Sequence, residues 1–400
     1  MIALLLAAFL APAPARAPQH SDPSISKIAE GAHTTRIPFR FVANQVRIDA
    51  RVNGQGPFCL TLDTGMPIPG VLLYESEAVT KLGLSDSGAN VRVAGAGGDK
   101  QGTKALMAEG VSIDIGALSI SNTRALVVPH PEGFGLGSDG VIGGSLFFHY
   151  VVRIDVDAKE LVLCEPEGWT APEGAASVPI TREGGMIFTD LRVSLGEAQP
   201  VVAHVVVDIG ASHALSLNGA FEAPASAIEM PLGRGLSGLL LGKCGRVRRV
   251  ELGGFAFDSV VVSFPMQAHQ NPGGENFRDG NLGQGLLKRF NVTFDYAGKR
   301  MLLEKAVGFR EPFEVDMSGI FLSWHPDGTL WAEQLMPGSP AAVAGIENGD
   351  QLLSIDGKPV LELGEGGVRE ALRIEGAERR VELKRGEKAL GFAFRLRRLV

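Results

Sequence analysis

The feature that most constrains the fold is an internal duplication. Residues 143–147, Gly-Gly-Ser-Leu-Phe, recur 140 residues later as Gly-Gln-Gly-Leu-Leu at 283–287. The alignment continues without a gap to Leu163 in the first copy and Leu303 in the second. Each copy predicts a glycine turn, a short helix, a strand, a polar turn and a returning strand. Self-similarity at this distance indicates a chain built from two copies of one unit.

Each copy also carries an aspartate that ends an apolar run and is followed, two residues later, by a glycine. The first pair is Asp63 and Gly65, and the second is Asp208 and Gly210. A carboxylate at the end of a buried strand is costly unless it is paired or hydrogen-bonded. A lone Asp-x-Gly is usually only a turn, but these two lie nearly in the register of the duplication. We therefore expect the two aspartates to share one site.

A glycine-rich segment lies between the aspartate and the second glycine motif of each copy. These segments are residues 91–102 and 235–243. Strand-forming residues on both sides of a glycine tip are typical of a mobile hairpin. An ordinary surface hairpin gives the same pattern, and the sequence leaves that alternative open.

The composition favours a β-rich globular protein with many tight turns. The chain has 400 residues, of which 52 are glycine, and 45% are hydrophobic, so it is long enough for two or three domains with proper cores. The net charge of −7 and the lack of a Lys/Arg run argue against a nucleic-acid partner.

Three cysteines, Cys59, Cys164 and Cys244, have a spacing that fits no metal-binding module. We expect them to be buried small apolar residues, with a Cys59–Cys164 disulfide left open. We expect no metal and no cofactor.

The first 17 residues have the features of an export signal. Residues 2–10 are an apolar run too short to span a bilayer, and Ala15 and Ala17 suit the −3 and −1 positions of a cleavage site. No Lys or Arg precedes the run and Pro18 follows the site, so cleavage after Ala15 and a disordered apolar tail are alternatives. We expect a signal peptide over 1–17 and an exported protein, periplasmic or secreted.

The paired motifs resemble those of the retropepsin-like aspartic peptidases. Residues 63–65 with 139–143 (Asp-Gly-Val-Ile-Gly) carry the resemblance, and 208–212 with 280–283 (Gly-Asn-Leu-Gly) repeat it more loosely. In that family an apolar-apolar-Gly segment passes behind the catalytic loop. The resemblance implies an all-β fold of two acid-protease β-barrel lobes, separated by a cleft that binds substrate as an extended strand beneath hairpin flaps. We place the lobes at 30–170 and 171–306.

The same resemblance implies that Asp63 and Asp208 are the catalytic pair, with Thr64, Gly65 and Gly210 shaping the active-site loops. Two carboxylates about 3 Å apart cannot both ionise, so they share one proton and titrate as a pair. The ionised partner then acts as general base on a bridging water, while the protonated partner polarises the scissile carbonyl. This chemistry requires no metal.

One departure from the family pattern concerns the residue after each aspartate, usually Thr or Ser, whose hydroxyl hydrogen-bonds to the opposing loop. Thr64 can make this bond and Ile209 cannot, so the support between the loops is at best one-sided. His213 follows Asp208 closely, and we expect it to be a packing or surface residue rather than a catalytic one.

After Lys305 the pattern changes to that of a third unit. The series Gly-Ser-Pro-Ala-Ala, Ala-Gly, Gly-Asp and Ile-Asp-Gly over residues 338–357 resembles a PDZ domain of the bacterial type. We place this domain, which is small, β-rich and contains two helices, at 310–400. One helix-like stretch is expected at 367–374.

Within this domain, Ser318, Gly319, Ile320 and Phe321 resemble the carboxylate-binding loop. Their backbone N–H groups would hold a C-terminal peptide ligand while the adjacent strand adds the peptide by β-augmentation. A groove filled by the protein's own chain is the alternative.

The sequence therefore predicts an exported aspartic endopeptidase whose PDZ domain recruits or gates polypeptide substrates. The alternative is a proteolytically inactive peptide-binding protein with a degenerate dyad and a functional PDZ groove. The oligomeric state stays open, although a monomer is compatible with two lobes in one chain.

Overall fold

The computed structural model describes residues 7–10, 24–25, 33–66, 68–96, 102–131, 137–197, 199–219, 221–266 and 278–400. In this part of the chain, a ten-stranded and an eight-stranded sheet form two lobes, a six-stranded sheet joins the lobes, and a second six-stranded sheet forms a C-terminal domain. The expected all-β class is confirmed.

The first copy contains strands with two short helices. Its elements are β1 (Ala7–Leu10), β2 (Ser24–Ile25), β3 (Thr34–Pro38), β4 (Arg40–Val42), β5 (Gln45–Val52), β6 (Gln55–Leu62), β7 (Val71–Tyr74), α1 (Glu77–Thr80), β8 (Val91–Ala94), β9 (Thr103–Ile115), β10 (Leu118–Val128), β11 (Gly140–Ile142), α2 (Gly144–Phe147), β12 (Val151–Asp155) and β13 (Glu160–Cys164). The expected signal peptide, residues 1–17, lies outside the described residues apart from β1, which pairs with β8.

The second copy repeats the core of this element order. Its elements are β14 (Ala176–Pro179), β15 (Thr181–Glu183), β16 (Met186–Ser194), β17 (Val201–Asp208), β18 (Leu215–Leu217), β19 (Ile228–Gly235), β20 (Gly238–Leu252), β21 (Phe255–Pro265), β22 (Gly280–Gly283), α3 (Gln284–Leu287), β23 (Phe290–Asp295) and β24 (Arg300–Lys305). The duplication predicted from the glycine motifs is thus present in the structure: β11, α2, β12 and β13 correspond to β22, α3, β23 and β24.

The strand that ends at each aspartate lies beside the strand that carries the glycine motif. β6 runs parallel to β11, with Leu62 opposite Ile142, and β17 runs parallel to β22, with Asp208 opposite Gly283. Apolar side chains fill both faces of these central strands, which explains their nearly continuous hydrophobic sequence. The pairing places each Asp-x-Gly turn at the same end of its lobe.

The two copies share the six-stranded sheet, whose order is β14-β24-β23-β12-β13-β3. At its centre β12 pairs antiparallel with β23, so that Val152 lies opposite Phe294. One apolar core continues from the first lobe through this sheet into the second. The joined core holds the lobes in a defined relation and lets the two aspartate loops face each other.

The C-terminal domain follows a 3₁₀ helix at Val307–Arg310 and has its own core. Its elements are β25 (Ile320–Trp324), β26 (Leu330–Leu335), α4 (Pro340–Ala344), β27 (Gln351–Ile355), β28 (Lys358–Pro359), α5 (Val360–Ala371), β29 (Glu378–Arg385) and β30 (Lys388–Arg395). The two expected helices are present.

The second of these helices, α5, starts earlier than predicted and ends at Ala371 rather than near Ile374. Val360 and Val368 bury against the domain core, and non-helical Gly364, with φ of 62° and ψ of −178°, divides α5 into two helical segments. Among the described residues, no helix has the length and apolar character needed to cross a membrane.

Candidate active site

The two aspartates predicted to form the site lie side by side between the lobes. Asp63 directly follows β6 and Asp208 ends β17; both are fully buried, and their carboxyl groups are in hydrogen-bonding contact. The glycines after them permit this approach. A Cβ on Gly210 would lie 2.7 Å from both carboxyl oxygens of Asp63, and one on Gly65 would lie 3.0 Å from Asp208 Cγ.

Each carboxyl group also accepts hydrogen bonds from its own loop. The Gly65 N–H donates to Asp63 Oδ1 at 2.6 Å, and the Ala211 N–H donates to Asp208 Oδ1 at 3.0 Å. Among the described residues, no donor hydrogen-bonds to Asp63 Oδ2.

Asn281 is a site residue that was not predicted from the sequence. Its Nδ2 donates to Asp208 Oδ2 at 2.8 Å, and its side chain is fully buried. The residue in the equivalent position of the first copy is Val141. A polar residue in an otherwise apolar segment was the sequence signal that could have identified Asn281. Asn281 also makes the surroundings of Asp63 and Asp208 unequal.

The environment raises the pKa of both carboxyl groups above the ordinary aspartate value. Burial is the main cause for each, and the charge of Asp208 raises the pKa of Asp63 further. The hydrogen bond from Asn281 lowers the pKa of Asp208 and so opposes the effect of burial there. The asymmetry favours a proton on Asp63 and an ionised Asp208.

A single threonine links the two loops. Thr64 Oγ1 donates to the Val207 carbonyl at 2.6 Å and accepts from the Ile209 N–H at 3.1 Å. The Ile209 side chain is buried in the apolar core and returns no such bond. The one-sided support expected from the sequence is therefore what the structure shows.

The turn between β4 and β5, together with the first residue of β5, supplies further bonds to the second loop. Gln45 Nε2 donates to the Gly210 carbonyl at 3.1 Å, and Asn44 Nδ2 donates to the Ser212 carbonyl at 2.9 Å. These bonds join the first lobe to the loop just after Ile209. The sequence carried no local signal for them, because they join residues more than 160 positions apart.

Two further buried polar side chains lie near the dyad. Tyr74, on β7, has a raised pKa, caused by burial first and by the charge of Asp63 second. Burial lowers the pKa of Arg278 to about 10, and the charge of Asp208 opposes this shift. Neither was predicted from the sequence.

His213 is a packing residue, as expected. It is buried, its Nε2 contacts the Asn281 carbonyl at 3.3 Å, and burial lowers its pKa to about 4. The imidazole is therefore neutral near neutral pH, and its Nε2 is engaged with the Asn281 carbonyl.

Both predicted hairpins are present, and they touch each other. β19 and β20 form the second hairpin; β8 and β9 form the first, whose tip at 97–101 lies outside the described residues. The Ser237 N–H donates to the Ala96 carbonyl at 3.0 Å, and Leu236 packs in the apolar cluster that contains Met66 and Tyr74. In the described residues, the two hairpins thus meet at Ala96 and Ser237, next to the apolar cluster that contains Met66.

The predicted carboxylate-binding loop is occupied by its own chain. Asp316 Oδ1 accepts from the N–H groups of Ser318 at 3.0 Å and Gly319 at 2.8 Å, and Ser318 Oγ accepts from the Ile320 N–H at 3.1 Å. Phe321 continues into β25, where it pairs with Gln334. Burial raises the pKa of Asp316 to about 6 against these hydrogen bonds.

The PDZ groove, between β25 and α5, faces the second lobe. A cavity of about 200 Å³ is lined on the PDZ side by residues such as Leu322 and Val368, and on the lobe side by residues such as Met230 and Leu232. Arg234, in the hairpin strand β19, forms an ion pair with Glu333 of β26. The C-terminal domain is thus docked on the second lobe through the groove between β25 and α5.

The described residues contain neither a metal-binding cluster nor a disulfide. In the described ranges no group of three or more His, Cys, Asp or Glu side chains is arranged to hold a metal ion. The thiols of Cys59, Cys164 and Cys244 are free, and of the three only Cys244 is fully buried. The disulfide left open by the sequence is therefore not formed.

Comparison with known proteins finds two families. Residues 48–146 match the family model described as an aspartyl protease, and residues 331–385 match the one described as a PDZ domain. No curated protein matches the chain. Among solved structures, the chain is similar to the crystal structure of the aspartic proteinase from Irpex lacteus, at 12% identity over 70% of this chain and 99% of that one, with a TM-score of 0.44.

Proposed function

We propose that this chain, which combines an aspartyl-protease region with a PDZ domain, is an aspartic endopeptidase that uses Asp63 and Asp208 to hydrolyse polypeptides. The family matches support a peptidase. The observation that carries the finer proposal is the contact between two buried carboxyl groups delivered by equivalent turns of a duplicated fold. Such a pair holds one proton and leaves one general base.

In the proposed reaction, ionised Asp208 takes a proton from a water while protonated Asp63 donates its proton to the oxygen of the scissile carbonyl. The water oxygen adds to the carbonyl carbon and a tetrahedral gem-diol forms. Asp208 then gives its proton to the leaving nitrogen, Asp63 recovers a proton from the diol hydroxyl, and the C–N bond breaks. Asn281 favours Asp208 as the starting base because its N–H bond stabilises the carboxylate.

For the substrate, we propose an unfolded polypeptide bound as an extended strand under the two hairpins. For the PDZ domain, a gating role is better supported than capture of chain termini. The N–H groups of its loop are already bonded to Asp316 and Ser318, and its groove faces the second lobe. The apolar segment at 2–10 with Ala15 and Ala17 supports export, to the periplasm or beyond, and a monomer is compatible with both catalytic loops in one chain.

The test is incubation of the purified protein with an unfolded polypeptide across about pH 3 to 8, with and without a statine-type inhibitor. We expect inhibitor-sensitive cleavage, with product termini identified by mass spectrometry. Binding of the polypeptide without any cleavage would instead support the inactive peptide-binding alternative. Cleavage that the inhibitor does not reduce would point to a contaminating peptidase.

Replacing Asn281 should change the acid side of the pH profile. In Asn281→Val, which copies Val141 of the first lobe, Asp208 loses the bond that lowers its pKa. Its pKa rises, so we expect the acid limb of kcat/KM to move to higher pH while the alkaline limb changes less. Thr293→Val, a buried polar-to-apolar change in the sheet that joins the lobes, is the control and should leave both limbs in place. An unchanged acid limb in Asn281→Val would contradict the assignment of Asp208 as the base.

A further inference from the structure

A buried ion pair joins the PDZ domain to the first lobe. Arg47 Nη2, on β5, donates to Glu365 Oε2, on α5, at 2.7 Å, and both side chains are only 5% exposed. Two charges buried in this way are costly unless further hydrogen bonds satisfy them. The other hydrogen bonds of Arg47 therefore indicate which part of the structure the ion pair supports.

The pair continues as a chain of hydrogen bonds to the second catalytic loop. Arg47 Nη2 also donates to Gln45 Oε1 at 3.2 Å, and Gln45 Nε2 donates to the Gly210 carbonyl at 3.1 Å. Gly210 is two residues after Asp208, and its α-carbon packs against the Asp63 carboxyl group. The four residues Glu365, Arg47, Gln45 and Gly210 thus connect α5 with the dyad.

A second contact holds the same turn of the first lobe. Arg369 Nη1, one helical turn after Glu365, donates to the Ala43 carbonyl at 3.2 Å. Ala43 and Asn44 both adopt left-handed backbone conformations, with φ of 54° and 61°, and Asn44 donates to the Ser212 carbonyl. Helix α5 therefore contacts the turn at Ala43 and strand β5 at Arg47. The catalytic loop is contacted by Asn44 of the turn and by Gln45, the first residue of β5.

The second catalytic loop has a specific need for this support. Thr64 braces it at Val207 and Ile209, and Ile209 has no hydroxyl to extend the brace. Beyond Ile209, Asn44 and Gln45 of the first lobe donate side-chain hydrogen bonds to the carbonyls of Ser212 and Gly210. These two bonds thus add to the support that Thr64 gives the loop.

We infer that Glu365, Arg47 and Gln45 are positioning residues, through which the docked PDZ domain holds the loop of Asp208 in its catalytic geometry. The inference rests on the proposed function, and it makes the PDZ domain part of the active-site support. Release of α5 would loosen residues 209–212 and lower turnover. Gly364 adopts a left-handed φ of 62° directly before Glu365, so the helix itself is interrupted where it contributes the carboxylate.

The test uses amide hydrogen exchange of the loop, which reports positioning whether or not the protein cleaves peptides. We compare the wild-type protein with Gln45→Leu, which removes the last link, and Glu365→Ala, which removes the first. In both variants we expect amides in 209–212 to exchange about fivefold faster or more. Glu370→Ala is the matched control, because Glu370 lies on the same helix in an ion pair with Arg373 but is 72% exposed. Unchanged exchange in both variants would overturn the inference.

Glu365→Ala leaves Arg47 buried without its partner and could undock the domain. The double variant Arg47→Met/Glu365→Leu keeps the interface apolar and is expected to keep it docked, while Gln45 still loses its arginine partner. Faster exchange at 209–212 with unchanged exchange in α5 would show that the hydrogen-bonded chain matters beyond docking. Wild-type exchange at 209–212 in this double variant would show that docking alone holds the loop. It would overturn the role assigned to the hydrogen bonds from Glu365 through Arg47 and Gln45.

In the enzymatic assay, Gln45→Leu and Glu365→Ala should each lower kcat by roughly tenfold to a hundredfold with little change in KM, because they disturb the catalytic loop rather than the substrate site. The double variant Gln45→Leu/Glu365→Ala should lose no more kcat than the more impaired single variant, because both substitutions break the same series of hydrogen bonds. Fully additive losses would overturn the inference. A wild-type protein that cleaves nothing would overturn the proposed function, and the exchange data would still decide the positioning role.

Discussion

Asp208→Asn is expected to abolish peptide hydrolysis, with kcat falling by at least roughly 10²- to 10⁴-fold, and Asp63→Asn should do the same. The amide keeps the size of the carboxyl group and can still accept the loop N–H bonds, so the geometry of the turns is preserved. What is lost is the base in one variant and the shared acidic proton in the other. The measurement is cleavage of an unfolded polypeptide at the pH optimum of the wild-type protein.

The control for these variants is Asp190→Asn, the same chemical change at an aspartate whose side chain is 66% exposed and bonded to His204. It should cleave like the wild-type protein. Full activity in either dyad variant would refute the proposed catalytic pair.

Asp63→Asn should also raise the melting temperature at neutral pH. Folding raises the pKa of this carboxyl group, so its contribution to stability is greatest below the ordinary aspartate pKa and is lost as pH rises through the folded value. Asparagine does not ionise and avoids that loss. The gain should therefore shrink as pH falls below about 4, which thermal unfolding at several pH values can measure. A lower melting temperature at pH 7 would show that the carboxyl group is stabilised in its ionised form.

Gly210→Ala is the second substitution with a large expected effect. The added methyl group would lie 2.7 Å from both Asp63 carboxyl oxygens, closer than atoms can pack, so the two loops must separate. We expect a loss of about a hundredfold or more in kcat, because displacements of about 1 Å are costly in general acid–base catalysis. Overpacking of this kind also costs roughly 1–3 kcal/mol of unfolding free energy.

Gly196→Ala is the matched control, since among the described residues no atom lies within 4 Å of a Cβ there, and the backbone is not left-handed. It should leave kcat and the denaturation midpoint unchanged. Gly65→Ala should be milder than Gly210→Ala, because its Cβ would lie 3.0 Å from Asp208 Cγ. Wild-type turnover in Gly210→Ala would show that the carboxyl groups need not be held at this separation.

Features of this fold are predictable from the sequence to the extent that they are local. The turns of Asp63 and Asp208 are set by a few adjacent residues, and the duplication alone is enough to align them. The hairpins and the short helices after the glycine motifs were predictable for the same reason. By contrast, the segment of α5 before the kink at Gly364 was not predicted, because it depends on burial of Val360 in the core of the C-terminal domain.

The PDZ loop carries a local signal that the prediction of a ligand-binding loop left unused. Asp316 lies two residues before Ser318, and aspartate side chains commonly hydrogen-bond to the backbone two residues on. A self-filled groove was the alternative expectation, but this carboxylate was not singled out for it. The N–H groups of Ser318 and Gly319, which would hold a ligand carboxylate, already donate to Asp316.

By itself, the sequence determined that two equivalent loops each present an aspartate and a glycine, because strand, turn and repeat patterns are encoded by neighbouring residues. Only the tertiary structure decided how these loops are held together. Asn281 distinguishes the two carboxyl groups, and Glu365 reaches Gly210 through Arg47 and Gln45 across 318 and 165 positions of the chain. Such bonds depend on how separate lobes and a docked domain approach one another, and no local pattern encodes that approach.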